Sequence, residues 1–144
     1  MRFTASLAIL SAAVLPCLAQ SGTVKVTYDT DYDDPTWPLS QTACSDGANG
    51  LEGKWPTLGD VPSYPAVGGI PGLTWNSPLC GTCWQLQYVA NGTTNTLNIT
   101  AVDSGYTYNI AETAFSAWAG SSGVAAGFVY ATAVQVPAAG CKIF

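Results

Sequence analysis

Hydrophobic and polar residues alternate along several short segments of the chain, as in β-strands with one buried face. In the first of these segments, Val24, Val26 and Tyr28 fall on one side and polar residues on the other. Asn91-Gly92 predicts a tight hairpin turn between the second and third segments. The predicted strands lie within residues 23–28, 84–88, 97–101 and 128–136.

One segment has helical spacing instead. Residues 109–112 (Asn-Ile-Ala-Glu) resemble a capping box at a helix start, and Gly120 is the predicted stop. One helical stripe then carries Ile110, Ala114 and Trp118. One short helix among five or six strands predicts a mainly β domain, and a closed barrel rather than an open sheet.

A long irregular segment separates the first two predicted strands. Residues 45–78 are rich in Gly, Pro and Asn. A structureless loop of this length is uncommon in a compact domain, so we expect it to be pinned and to carry function.

The N-terminus has the pattern of an export signal. Arg2 precedes an apolar stretch, residues 3–18, and small side chains at Cys17 and Ala19 favour cleavage after Ala19. A transmembrane anchor is the alternative, but the stretch is short for a bilayer and is interrupted at Pro16. We therefore predict a signal peptide at residues 1–19, a single domain at residues 20–144, and an extracellular, secreted protein.

Charge narrows the classes of ligand. Residues 20–144 contain three lysines and nine acids, so they cannot form the basic face that nucleic acids and anionic membranes require. Charged residues make up only 9% of the chain. The remaining surface of hydroxyls, amides and aromatic rings suits uncharged polar ligands such as sugars.

Four cysteines remain after the predicted signal. An even number in a short exported chain indicates two disulfides, with three pairings open. The CxxC spacing at 80–83 also fits a thioredoxin-type motif or half of a zinc site. A redox motif should begin a helix, however, and exported thiols normally pair with each other. Disulfides are therefore the prediction, with no metal and no cofactor.

The chain contains no histidine. This absence removes Ser-His-Asp and Cys-His catalysis and leaves carboxylates for acid–base chemistry. Asp103 follows a predicted strand, where an Asp commonly caps a turn. Glu112 is explained as a helix cap. The acids of residues 29–34 are better explained as a solvated loop than as a calcium site, because the EF-hand spacing is missing.

The aromatic residues fall into two groups. Trp84 and Trp118 lie on periodic segments and are predicted core residues. Rings in or beside loops either pad the core or stack on pyranose rings; they are Tyr28, Tyr32, Trp37, Trp55 and Tyr64.

Two sequons satisfy the N-glycosylation rule, at Asn91 and Asn98. Asn91 is the better candidate because it lies in a predicted turn. Asn98 is expected to be an ordinary strand residue.

Four segments form a recognisable set, residues 44–51 (CSDGANGL), 80–84 (CGTCW), 99–103 (ITAVD) and 109–115 (NIAETAF), with VTYD at 26–29. Together they resemble one family of secreted fungal proteins, the cerato-platanins, over essentially all of residues 20–144. The resemblance implies a six-stranded double-psi β-barrel with one or two short helices and long loops. It also implies disulfides Cys44–Cys80 and Cys83–Cys141.

The resemblance further implies a function. Cerato-platanins bind chitin oligosaccharides, loosen cellulose or fungal wall material without appreciable hydrolysis, and elicit plant defence. Some self-assemble at surfaces. The expected partners are therefore chitin or glucan oligosaccharides and a plant receptor, and the expected state is a monomer associated with cell walls.

Asp103 matches the acid that the related expansins and endoglucanases keep in their groove, which changes its interpretation from turn cap to site residue. The other matching groove positions are Tyr28, Asp29, Asp46, Asn49, Gly50 and Asn109. Tyr108 departs from the family, which often has Phe there.

Inverting hydrolysis needs two carboxyl groups about 6.5–9.5 Å apart. The partner of Asp103 would be Asp46 or Asp29, and neither belongs to a motif for a second catalytic acid. We therefore predict a carbohydrate-binding protein without a catalytic residue. The alternatives are a weak inverting glucanase that uses Asp103, and a surface-active or receptor-binding protein.

Overall fold

The computed structural model describes residues 22–143, so the predicted signal peptide at residues 1–19 lies outside the described residues. Six strands and one α-helix make up the regular structure of this part. The strands are β1 (Thr23–Asp29), β2 (Val67–Ile70), β3 (Cys83–Ala90), β4 (Thr93–Ser104), β5 (Tyr108–Ala111) and β6 (Phe128–Val136), and the helix is α1 (Glu112–Ala126).

The strands close into a barrel in the order β1-β5-β2-β4-β3-β6. The β1–β5 and β2–β4 pairs are parallel, and the other four pairs are antiparallel. A mainly β domain with a closed six-stranded barrel confirms the predicted fold class. Closure leaves no unpaired sheet edge within the barrel.

The barrel interior is filled by the apolar faces of the alternating strands. Val26, Leu86, Ile99 and Ile110 are completely buried there. Helix α1 packs next to this core through two aromatic ring contacts, Phe115 with Tyr28 of β1 and Trp118 with Tyr88 of β3, and the rings of Phe115 and Trp118 also contact each other. Trp84 and Trp118 are both buried, as predicted.

The predicted capping box at 109–112 is wrong. Asn109 and Ile110 belong to β5, where they pair with β1, and α1 begins only at Glu112. The cap comes from a distant residue: the Asp33 carboxylate accepts hydrogen bonds from the backbone N–H groups of Glu112 and Thr113, both at 3.0 Å.

Gly120 interrupts helix α1 but does not end it. Its backbone leaves helical geometry at φ 72° and ψ 179°, after which a second helical segment continues to Ala126. The final stop is Gly127, in the left-handed conformation that favours glycine. The predicted stop therefore marks a kink within α1.

The Asn91-Gly92 hairpin between β3 and β4 is confirmed. Both residues have positive φ, at 50° and 75°, as a two-residue turn of this kind requires. The turn exposes Asn91, whereas Asn98 is partly buried and its amide donates to the Gly140 carbonyl. Glycosylation at either position stays a prediction.

Two disulfides, Cys44–Cys80 and Cys83–Cys141, close loops with sequence separations of 36 and 58 residues. This pairing is the one that the family resemblance implies. The first bridge pins both ends of the long 45–78 segment. That segment is not structureless, because it contributes β2 and a 3₁₀ turn at Leu58–Asp60, and it buries Trp55, Leu58 and Leu73.

Within residues 22–143, no helix has the length and apolar character needed to cross a membrane.

Candidate functional site

A row of small and polar residues crosses four neighbouring strands on the outer face of the barrel. Strand register pairs Asp103 of β4 with Gly69 of β2, Gly69 with Asn109 of β5, and Asn109 with Thr27 of β1. Paired residues point to the same face of a sheet. We call Asp103, Gly69, Asn109 and Thr27 the transverse row.

Gly69 is buried in the middle of this row, where neighbouring atoms approach its backbone closely. A Cβ atom here would lie 2.6 Å from the Ser104 carbonyl oxygen, so a larger residue cannot fit without a backbone shift. The β2–β4 register slips between Gly68 and Gly69, which brings Gly69 opposite Asp103. Asp103 and Asn109 are thus separated by two strand spacings, roughly 9–10 Å.

The Asp103 carboxylate is held in place by three donors. Oδ1 accepts from the backbone N–H groups of Ala43 and Ser104, both at 2.8 Å, and Oδ2 accepts from the Tyr32 hydroxyl at 3.3 Å. A carboxylate offers about four acceptor sites, so this one is rigid but retains capacity for a ligand hydroxyl on Oδ2. Asp103 therefore fixes the end of β4 and the backbone at Ala43 while it lies in the row.

Tyr32 contacts the row through Asp103, whereas the sequence indicated only a loop ring that pads the core or stacks on a sugar. It lies in the 3₁₀ turn Thr30–Asp33 that follows β1, and its hydroxyl lies 3.1 Å from where a Gly69 Cβ would be. The side chain is 8% exposed. Burial, together with the nearby negative charge of Asp103, raises the pKa of Tyr32 well above its ordinary value, so it remains a hydrogen-bond donor.

Asn109 has a fixed orientation in the row. Its Oδ1 accepts from the Thr27 hydroxyl at 2.8 Å, and Thr27 in turn contacts the Thr107 hydroxyl at 2.6 Å. This network directs the amide Nδ2, a donor, away from Thr27. The row therefore presents a carboxylate acceptor at one side and an amide donor at the other.

Asp29 and Tyr28 lie on opposite faces of β1. Asp29 shares the face of Thr27, and its carboxylate accepts from the Asp31 backbone N–H at 3.0 Å. Tyr28 instead packs on Phe115, and its hydroxyl donates to the Val124 carbonyl of α1. Its assignment to the groove stays a prediction, and its observed contacts are those of a packing residue.

Three other predicted site residues lie in a separate surface loop. Asp46, Asn49 and Gly50 are tied to the segment before Cys80 rather than to the transverse row. Asn49 donates to the Asn76 carbonyl from Nδ2 and to Asn76 Oδ1 from its backbone N–H, both at 2.9 Å. Asp46 Oδ1 accepts from Trp75 Nε1 at 2.6 Å.

Trp75 is a residue that sequence reasoning missed. Its side chain is 61% exposed, which is unusual for so large a ring. The sequence signal that could have identified Trp75 is its position in the long Gly- and Pro-rich segment, because aromatic residues in loops are candidates for stacking on sugars.

An open cleft lies between the end of β4 and the segment that follows β2. It has a volume of about 400 Å³ and is lined by residues 72–74 on one side and 104–106 on the other. Ser104 directly follows Asp103, and Thr74 directly precedes Trp75. Tyr106 at its edge is fully exposed. Each wall of the cleft is therefore next in sequence to one of the two regions, the row on one side and Trp75 on the other.

The site offers little for acid–base chemistry. The residues across the row from Asp103 are neutral, and the carboxylates of Asp46, Asp29 and Asp33 already accept hydrogen bonds from Trp75, Asp31 and the start of α1 respectively. Among residues 22–143, no group of three or more His, Cys, Asp or Glu could hold a metal ion. The arrangement is suited to hydrogen bonding with an uncharged polar ligand.

Comparison with known proteins agrees with the fold and the disulfides. The family model described as cerato-platanin matches residues 24–143. The chain belongs to the cerato-platanin family. A similar curated relative is cerato-platanin of Ceratocystis fimbriata f. sp. platani, 42% identical over 76% of this chain and 81% of that protein.

Other cerato-platanin relatives are known as allergens and antigens. Allergen Asp f 15 of Aspergillus fumigatus is 36% identical to this chain, and the match covers 98% of this chain and 97% of the allergen. Among solved structures, cerato-platanin 2 of M. perniciosa matches with a TM-score of 0.78 at 33% identity, over 85% of this chain and 100% of that one. The solution structure of the fungal elicitor Cerato-Platanin matches with a TM-score of 0.72 at 42% identity, over 82% and 96%.

Proposed function

We propose that this cerato-platanin is a secreted, non-hydrolytic carbohydrate-binding protein that acts at cell walls. Its ligand is an uncharged glycan of the chitin or glucan type, and the transverse row is the main contact. The observation that carries the proposal is the placement of one rigid carboxylate, Asp103, and one oriented amide, Asn109, on either side of Gly69.

The charge of the domain favours an uncharged ligand. Residues 20–144 carry nine acids against three lysines, which disfavours polyanionic polysaccharides as well as nucleic acids. Sugar hydroxyls can donate to Asp103 and accept from Asn109. Each such contact would compete with hydrogen bonds between polysaccharide chains, so binding alone can loosen wall material.

The row argues against glycoside hydrolysis. An inverting enzyme places its second carboxyl group about 6.5–9.5 Å from the first. At roughly that separation across the row this chain has the amide of Asn109, which cannot act as a general acid or base. Binding without bond cleavage is therefore the proposed activity.

The family relationship supports a role in recognition by a plant host, because one similar solved structure is described as a fungal elicitor. In this account, elicitation accompanies the release or binding of wall fragments. Contact with a plant receptor is a further part of the proposal.

The proposal is tested by calorimetric titration of chitin oligomers into the wild-type protein and Asp103→Asn. The asparagine keeps an acceptor for the Ala43 and Ser104 N–H groups, so the fold should persist while the charge is lost. Loss of a hydrogen bond to a charged group, about 1.5–3 kcal/mol, predicts an affinity at least tenfold weaker. Asp60→Asn, which alters an exposed turn carboxylate at 57–60, is the matched control.

Equal affinity in Asp103→Asn and the wild type would refute the proposed site. A parallel assay of reducing ends released from soluble and insoluble glucans covers the enzymatic alternative. Release that disappears in Asp103→Asn would replace the proposal with a weak glucanase.

A further inference from the structure

The loop that contains Asp46, Asn49 and Gly50 contacts an exposed aromatic side chain from another segment, the indole ring of Trp75. An exposed ring normally samples several rotamers, and fixing it costs conformational entropy. Here the ring edge is anchored by a short hydrogen bond from Nε1 to Asp46 Oδ1 at 2.6 Å. This contact holds the orientation of the ring while most of its surface stays open to solvent.

Two further features fix the position of Asp46 relative to Trp75. Asn49 makes two hydrogen bonds to Asn76, the residue next to Trp75. Gly50 allows the loop to close on itself, because a Cβ there would lie 2.4 Å from the backbone of Asp46. The Cys44–Cys80 disulfide joins the two segments near their bases.

We propose that Trp75 is a preorganised stacking platform for one pyranose ring of the bound glycan, and that Asp46, Asn49 and Gly50 are positioning residues that act through it. The inference rests on the proposed function and extends its site. The glycan would run from the transverse row, through the cleft of residues 72–74 and 104–106, to Trp75.

The chemistry of the ligand follows from the platform. The face of an indole is flat, apolar and electron-rich, and it complements the C–H face of a sugar ring. Because Asp46 already occupies the only polar atom of the indole, the ring can contribute stacking but no hydrogen bond of its own. A rigid ring loses little further entropy on binding, which favours affinity.

Tyr106 provides a second ring beside the same cleft. It is fully exposed at the β4–β5 connection and follows Ser104 and Gly105, which line the cleft with it. Gly105 is held by a hydrogen bond from its N–H to the Ile70 carbonyl, so this connection has a defined position on the barrel.

The test compares chitin-oligomer affinity in Trp75→Ala, Trp75→Phe and Tyr130→Ala. Tyr130 is a matched control, since it is 60% exposed on β6 and lies outside the proposed path. We expect Trp75→Ala to weaken binding about tenfold, as for an aromatic anchor of an interface. Trp75→Phe should retain part of the affinity, and Tyr130→Ala should match the wild type.

The positioning role needs its own readout. In Asp46→Ala the indole N–H resonance of Trp75, assigned by its absence in Trp75→Phe, should shift, and affinity should fall severalfold. Asp46→Asn keeps an acceptor at Oδ1, so it should restore both the resonance and most of the affinity. An Asp46→Ala protein with unchanged affinity would overturn the positioning role.

The outcomes distinguish failure of the Trp75 platform from failure of the proposed glycan-binding function. If Asp103→Asn weakens binding and Trp75→Ala does not, the platform is refuted and the proposed function stands. If the wild-type protein binds no chitin or glucan oligomer, the proposed function fails and the platform fails with it. Equal losses in Trp75→Ala and Tyr130→Ala would also refute the platform, because they would indicate nonspecific aromatic adhesion.

Discussion

Replacement of Asp33 by alanine should destabilise the domain by removing the cap of helix α1. Both carboxylate oxygens of Asp33 accept backbone hydrogen bonds, from Glu112 and Thr113. Loss of an N-terminal cap costs about 0.5–2 kcal/mol, and loss of a negative charge at a helix N-terminus costs about 0.3–1 kcal/mol more. The free energy of unfolding should therefore fall by roughly 1–3 kcal/mol.

The assay is equilibrium urea unfolding with both disulfides intact, followed by tryptophan fluorescence. The midpoint should move to lower urea while the slope stays constant, because the surface exposed on unfolding does not change. Asp33→Asn keeps one acceptor oxygen and loses the charge, so its stability should be intermediate.

Asp34→Ala is the matched control. Among the residues that the structure describes, its carboxylate accepts hydrogen bonds only from Thr36, two residues away, and it is exposed. Its effect should be clearly smaller than that of Asp33→Ala. Equal effects of the two variants would refute the assignment of Asp33 as the helix cap.

Two further predictions concern stability. The disulfides Cys44–Cys80 and Cys83–Cys141 close loops that do not overlap in sequence, and loop-closure entropy assigns them about 3.8 and 4.2 kcal/mol of stabilisation. Replacing both cysteines of either bridge by serine should therefore lower the melting temperature measured by calorimetry well below that of the wild type, and removing both bridges should unfold the domain. Wild-type melting after removal of both bridges would refute this prediction. Burial raises the pKa of Tyr108 from 10.0 to about 12, and the pKa of Tyr32 is raised too. Because the unfolded chain releases these protons first, the contribution of the two tyrosines to the free energy of unfolding should be constant below pH 10 and should fall between pH 10 and 12, by at most about 1.4 kcal/mol per pH unit for each tyrosine. Urea midpoints measured against pH should show a shallower decline in Tyr108→Phe, and an unchanged decline would contradict the stated cause.

The elements predicted from the sequence are those with strong local signals. β1, β3, β4 and β6 are long enough for alternation to be recognised, and Asn91-Gly92 has the backbone preference of a hairpin turn. Cysteine number and compartment predicted two disulfides, while the pairing came from the family resemblance.

The missed elements depend on contacts that are distant in sequence. β2 and β5 have four residues each, too few for a periodic pattern, and β2 contains Gly68 and Gly69. The cap of α1 comes from Asp33, 79 residues before Glu112, so the local Asn109 signal was misleading. Tertiary pairing with β1 outweighed that local preference.

The sequence predicted only part of the candidate site, because the site too depends on contacts between residues distant in sequence. Asp103 and Asn109 were identified from motifs, but only strand register brings them to opposite sides of Gly69. For Tyr32 and Trp75 the sequence signals no more than an aromatic ring in a loop, because burial in one case and exposure in the other are set by the folding of the loops.

The most direct test of the account is a titration of N-acetylglucosamine oligomers followed by backbone amide NMR shifts. The account predicts that the largest shifts cluster at Gly69, Asp103, Ser104 and Asn109, and that the oligomer is recovered at its original length. Shifts confined to a surface without these residues, or shortening of the oligomer during the titration, would contradict it.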